Sequence, residues 1–123
     1  MPQTGRFGQI GGELIMLKKM FKDTFEHLGK KAVYQSQRVG FVDVFVLIKQ
    51  PERVYELGDN GQFVERIAIF EILSESISNP KIGDFLFIDS RKYKVYNEPL
   101  LNGSGDIFEL TAIFVAKEQV KNV

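Results

Sequence analysis

Ile82-Gly-Asp-Phe-Leu-Phe-Ile-Asp-Ser-Arg-Lys-Tyr-Lys-Val95 is the stretch on which the fold turns. Two segments rich in apolar residues, Phe85 to Asp89 and Arg91 to Asn97, meet with almost nothing between them. Such a junction leaves room only for a tight two-residue turn at Asp89-Ser90, and so predicts an antiparallel hairpin. Gly83-Asp84 opens the hairpin and Glu98-Pro99 ends its second arm. Alternate residues of a strand share a face. Arg91, Tyr93 and Val95 therefore lie on one side, and Lys92, Lys94 and Tyr96 on the other.

The same period of two extends in both directions. Ala32 to Ser36 reads as a short strand. Phe41 to Lys49 reads as a long one, with Val42, Val44, Val46 and Ile48 on one face. Pro51 cannot donate to a ladder, so the strand is expected to stop there. Residues 50 to 62, ending in the turn signal Gly58-Asp-Asn-Gly61, then read as a long loop. Phe63 to Ser74 resumes the alternation, with Ala68, Phe70 and Ile72 on one face. After the hairpin, Asn102-Gly-Ser-Gly-Asp106 marks another turn. Ile107 to Ala116 is the last strand, placing Phe108, Leu110, Ala112 and Phe114 together.

Upstream the period is 3.6. Leu14, Leu17, Phe21, Phe25 and Leu28 fall on one stripe of a helix over residues 13–28, which could dock on the chain's own sheet or on a partner, the first being the expectation. Gly29 supplies its C-terminal stop. Residues 1–12 carry four glycines and read as a mobile arm. Residues 117–123 read as a polar tail. One domain over 13–116 is expected, mainly β, a six- to seven-stranded antiparallel sandwich or barrel with one N-terminal helix.

Composition narrows the function. Of the 123 residues, 44% are hydrophobic and 26% charged, which suits a globular chain. Sixteen basic residues balance sixteen acidic ones, so no global field draws the chain to nucleic acid or anionic lipid. The absence of cysteine removes disulfide, zinc-ribbon and thiol chemistry. No apolar run is long enough for a membrane-spanning helix, and a soluble protein of a reducing cytoplasm is expected.

The search for chemistry finds little. His27, the lone histidine, lacks a metal-ligand spacing and a partner nucleophile. Asp84 and Asp89 would stand about 17 Å apart on one strand, too far for paired-carboxylate hydrolysis. None of the glycine-rich stretches has the pattern of a phosphate loop. The basic and aromatic residues Lys92, Tyr93, Lys94 and Tyr96 could form a surface for single-stranded nucleic acid. The alternative puts Tyr93 and Val95 inside, under a solvated lysine row that discourages stray strand pairing. No catalytic, cofactor-binding or metal residue is assigned, and a non-catalytic protein is expected.

The order of these features resembles the lambda-type head–tail joining proteins of tailed phages. The match begins at Met20-Phe-Lys-Asp-Thr-Phe-Glu-His-Leu-Gly29. It continues through Ala32-Val-Tyr-Gln-Ser36, Val44-Phe-Val-Leu-Ile48, Lys49-Gln-Pro-Glu52 and the strand from Arg66 to Leu73. The Gly83-Asp84 hairpin with its aromatic-x-Val strand, the glycine turn and Phe108-Glu-Leu110 complete it. The chain carries Asp-Ser at the tight turn where Asp-Gly is expected.

The resemblance implies a structural virion protein between the capsid connector and the tail, monomeric in solution and a six-membered ring in the particle. It implies no cofactor. Its partners would be the phage head connector, tail proteins and its own copies, with DNA only passing through the ring. It would act in the virion after assembly in the host bacterial cytoplasm.

A ring needs two dissimilar patches on each subunit. The loop residues Arg53, Val54, Tyr55, Leu57, Asp59 and Asn60 are the first candidates for partner contact. Arm residues Arg6, Phe7 and Ile10 come next. Ordering loop and arm only at the assembly site would withhold association until the platform exists.

Overall fold

The computed structural model describes residues 16–38, 40–57 and 63–117. Helix α1 covers residues 16–28. Seven strands follow: β1 (Lys30–Ser36), β2 (Gly40–Leu57), β3 (Phe63–Leu73), β4 (Phe85–Ile88), β5 (Arg91–Val95), β6 (Leu100–Leu101) and β7 (Ile107–Lys117). All the pairings are antiparallel.

The strands run in the order β3-β2-β1-β4-β5-β7-β6, and a further β3–β7 pairing joins the two sides. Six strands thereby close into a barrel. The short β6 lies alongside β7, against Phe108 and Glu109. Of the two expected architectures, sandwich or barrel, this is the barrel. Closure removes the exposed edges that an open sheet would leave to aggregate.

The period-two stripes face inward, except that Ile48, beside the first register shift of β2, is 43% exposed. Tyr34, Val44, Val46, Phe70, Ile72, Leu86, Leu110 and Val95 fill the interior. Ala32, Ala68 and Ala112 leave room for the larger rings among them. Ile77, from the connection after β3, joins the same cluster.

Buried polar groups are paired. The carboxylate of Asp84, 3% exposed, accepts from the Tyr34 hydroxyl at 2.5 Å and from the Lys81 N–H at 2.9 Å. Burial, and then the bond to this carboxylate, push the Tyr34 hydroxyl well above the ordinary tyrosine range.

The tight turn is where it was expected. Asp89 and Ser90 both have positive φ, 49° and 66°. That is the backbone of a type I′ hairpin turn, which matches strand twist but strains residues bearing a Cβ. The second turn is organised by Asn102, whose side-chain oxygen accepts from the N–H groups of Asp106 and Ile107.

Two expectations need correction. Strand β2 does not stop at Pro51. It continues to Leu57, absorbing Pro51 in a register shift between Gln50 and Arg53. A bulge suspends the ladder there, so the missing proline N–H is not required. Residues 50–57, read as loop, are therefore strand.

The helix stripe also behaves differently. Phe25 is buried, at 1% exposure, and Phe21 is half-buried. Leu17 and Leu28, with Met16 and Met20 beside them, remain exposed. The helix thus docks along one edge of its apolar face instead of laying the whole stripe on the barrel. Gly29 ends it, donating its N–H to the Phe25 carbonyl. A Cβ at Gly29 would overlap that carbonyl oxygen and press on the one of Val46 at 3.0 Å. Lys117, read as the start of the tail, is the last residue of β7; the expected arm, residues 118–123 and Leu14 lie outside the described residues.

A projecting ribbon as candidate interface

The pairing registers divide β2 and β3 into two parts. Gly40 to Val46 of β2 pair with β1, and Ile67 to Leu73 of β3 pair with β7. Beyond the bulge, Arg53 to Leu57 pair with Phe63 to Ile67. Within the described residues, 53–57 and 63–66 meet no third strand. They form a two-stranded ribbon continuing past the barrel wall.

Both faces of the ribbon are wet. Val54 is 58% exposed, Val64 54% and Tyr55 39%. Arg53, Glu56 and Arg66 are exposed beside them. The Tyr55 hydroxyl accepts a hydrogen bond from the Gln50 side chain at 3.3 Å, which ties the ring back toward the base. Exposed apolar groups among mixed charges make a surface suited to a protein partner.

The ribbon's base is a polar knot. Glu52, in the register shift, reaches across to β5. Arg91 donates to both of its carboxylate oxygens at 2.7 Å, and the Tyr93 hydroxyl donates to one of them. Arg91 also stacks over Phe114, 4.0 Å from the ring centre, and Tyr93 packs edge-on against Phe70 and Phe114. Burial works against ionisation of Glu52. The bonds from Tyr93 and Arg91 outweigh it and hold the carboxyl below the usual glutamate range. Burial, and the bond to Glu52, push the Tyr93 hydroxyl up to about 12. A cleft of 220 Å³ opens beside this knot, bordered by Lys30, Ile48, Asp89 and Pro51. The charges at this knot serve to hold the chain together.

Of the residues singled out in the sequence, Arg53, Val54 and Tyr55 come together on the ribbon. Leu57 ends β2, opposite Phe63. Asp59, Asn60, Arg6, Phe7 and Ile10 lie outside the described residues. Val64, Arg66 and Glu52 were missed. Alternation through Val64, Glu65 and Arg66 was a usable signal for the first two. For Glu52 no local signal existed, since its partner is 39 residues away.

The nucleic-acid arrangement loses its central ring. Tyr93 is 6% exposed and points into the barrel, where no base can stack on it. Lys94 and Tyr96 are exposed, as a solvated outer row requires. Lys92 lies 4.3 Å over the Phe85 ring. His27 donates its Nδ1–H to the Asp23 carbonyl at 2.8 Å, one turn back on its own helix. Among the described residues, no group of three His, Cys, Asp or Glu side chains could hold a metal ion. None of the described helices is long and apolar enough to cross a membrane.

These features define a class: a small closed β-barrel with exposed apolar groups on a projecting ribbon and a half-docked helix, and others at Phe41, Ile82, Tyr96, Leu100, Leu101 and Val115. The chain matches the family model for the phage head–tail attachment protein over residues 15–114, and it belongs to that family. It is thus a structural phage protein that joins head and tail. No curated protein matches it.

Proposed function

We propose that this subunit joins six copies of itself into a ring between the capsid connector and the tail, with the β2–β3 ribbon as its principal contact. Arm residues Arg6, Phe7 and Ile10, and Asp59 and Asn60 in the sequence between β2 and β3, add to that contact. DNA passes through the ring without base contacts, and the ring forms in the host cytoplasm before entering the virion.

The observation that supports this reading is the exposure of Val54, Tyr55 and Val64 on strand segments that, among the described residues, pair only with each other. Leaving such groups in water forfeits burial energy that a partner surface can recover, about 1.5–3 kcal/mol for a fully covered large side chain. The half-docked helix supplies a second, dissimilar apolar patch, as head-to-tail ring closure requires.

Negative-stain imaging of purified tail-less capsids incubated with the protein tests this directly. Added six-fold density at the portal vertex is expected. Capsids that bind no subunit, or bind it evenly over the shell, would remove the reading.

A further inference from the structure

We infer that Glu52 is the anchor that sets the direction of the ribbon, its carboxylate held from the opposite wall of the barrel by Arg91 and Tyr93. The inference rests on the ribbon being the contact element and adds what aims it. In the closed order β1-β2-β3-β7-β5-β4, strands β2 and β5 stand across the ring from each other. Glu52 therefore bridges the barrel mouth and does not merely pair along its wall.

The ribbon needs such a tie. Its ladder bonds hold its two strands to each other. At its base the register shifts twice, between Ile48 and Gln50 and between Gln50 and Arg53. Each shift interrupts the ladder and lets the strand bend. The base is thus the point at which the ribbon can swing, and Glu52 lies inside the second interruption.

The receiving side is firm. Two parallel N–H donors from one guanidinium fix orientation as well as distance. Arg91 is itself backed by the Phe114 ring, and Tyr93 is wedged between Phe70 and Phe114. Competing charge is limited, because Asp89 at the rim of the same cleft is bonded to Lys30 at 2.8 Å. Arg66, on the ribbon's second strand, adds a further favourable charge toward Glu52.

The absence of cysteine makes the test clean. Spin labels on Glu56→Cys in the ribbon and Lys94→Cys on the barrel report the ribbon's direction as a distance distribution in the free, full-length protein. One narrow peak is expected. Adding Glu52→Gln should abolish the single peak, giving a broad or shifted distribution, while thermal melting still shows a cooperative fold. Tyr93→Phe, which removes one hydroxyl and keeps the ring, should broaden the peak less. An unchanged narrow peak in both backgrounds overturns the inference. So does loss of the fold in Glu52→Gln with an unchanged peak in Tyr93→Phe, since Glu52 would then support the barrel and not the ribbon's aim. No capsid takes part, so failure here leaves the ring reading standing, and failure of capsid binding leaves the anchor standing.

Discussion

Strand β2 repeats one pattern in two settings. Before the bulge, Val44 and Val46 alternate with outward residues and are 5% and 0% exposed. After it, Val54 alternates with Arg53 and Tyr55 and is 58% exposed. The backbone is extended in both halves and the side chains are of one kind. The difference is that β1 flanks the first half and the barrel curves over its inner face, whereas the second half has, among the described residues, only β3 beside it. Periodicity decides which residues share a face. Burial depends on whether a second layer exists to receive that face.

The sharpest way to break this comparison is to remove apolar groups from the two halves of β3. Phe70→Ala, in the barrel, should cost about 3–5 kcal/mol of unfolding free energy. Val64→Ala, on the ribbon, should stay within about 0.5 kcal/mol of the parent. Chemical denaturation measures both, and similar losses would mean that the ribbon is packed in solution.

A smaller effect is expected where helix and barrel touch. Gly29→Ala forces a Cβ against two backbone carbonyls and should destabilise by about 1–3 kcal/mol. A neutral result by thermal melting would mean that the helix end yields freely. In the hairpin turn, Ser90→Gly relieves a positive φ and should raise stability by roughly 1 kcal/mol. A lowered melting temperature would contradict the turn geometry.

The smallest effect concerns pH. The folded state holds the Glu52 carboxyl below its unfolded value. It therefore favours the ionised form, and its contribution is present in full above the ordinary glutamate range. That contribution fades as pH falls through the lowered value. Melting temperatures compared between about pH 6 and about pH 3 should fall less for Glu52→Gln than for the parent. Equal falls would show that Glu52 is no better held in the fold than in the unfolded chain.

Much of the barrel is legible in the sequence. Alternation in Val42 to Ile48, Phe63 to Leu73 and Ile107 to Ala116 marked the walls, and the abrupt junction at Asp89-Ser90 marked the turn. Closure was not legible, because it depends on β3 pairing with β7 across some 40 intervening residues, and no local period encodes a distant partner. Pro51 misled because a proline that ends a ladder and one absorbed in a bulge look alike in sequence. The same limit hid Glu52, whose role exists only once Arg91 is brought across the barrel. For the helix, the spacing of Leu17, Phe21, Phe25 and Leu28 identified the apolar face but not how much of it the barrel had room to cover.

The central claim is that joining is done by apolar groups on a projection and not within a cleft. It is tested most directly by Val54→Ser and Val64→Ser combined in one subunit. With unfolding behaviour unchanged from the parent, this variant should leave tail-less capsids unjoined when complete particles are counted by electron microscopy. Parental yields of joined particles from the same variant would contradict the account.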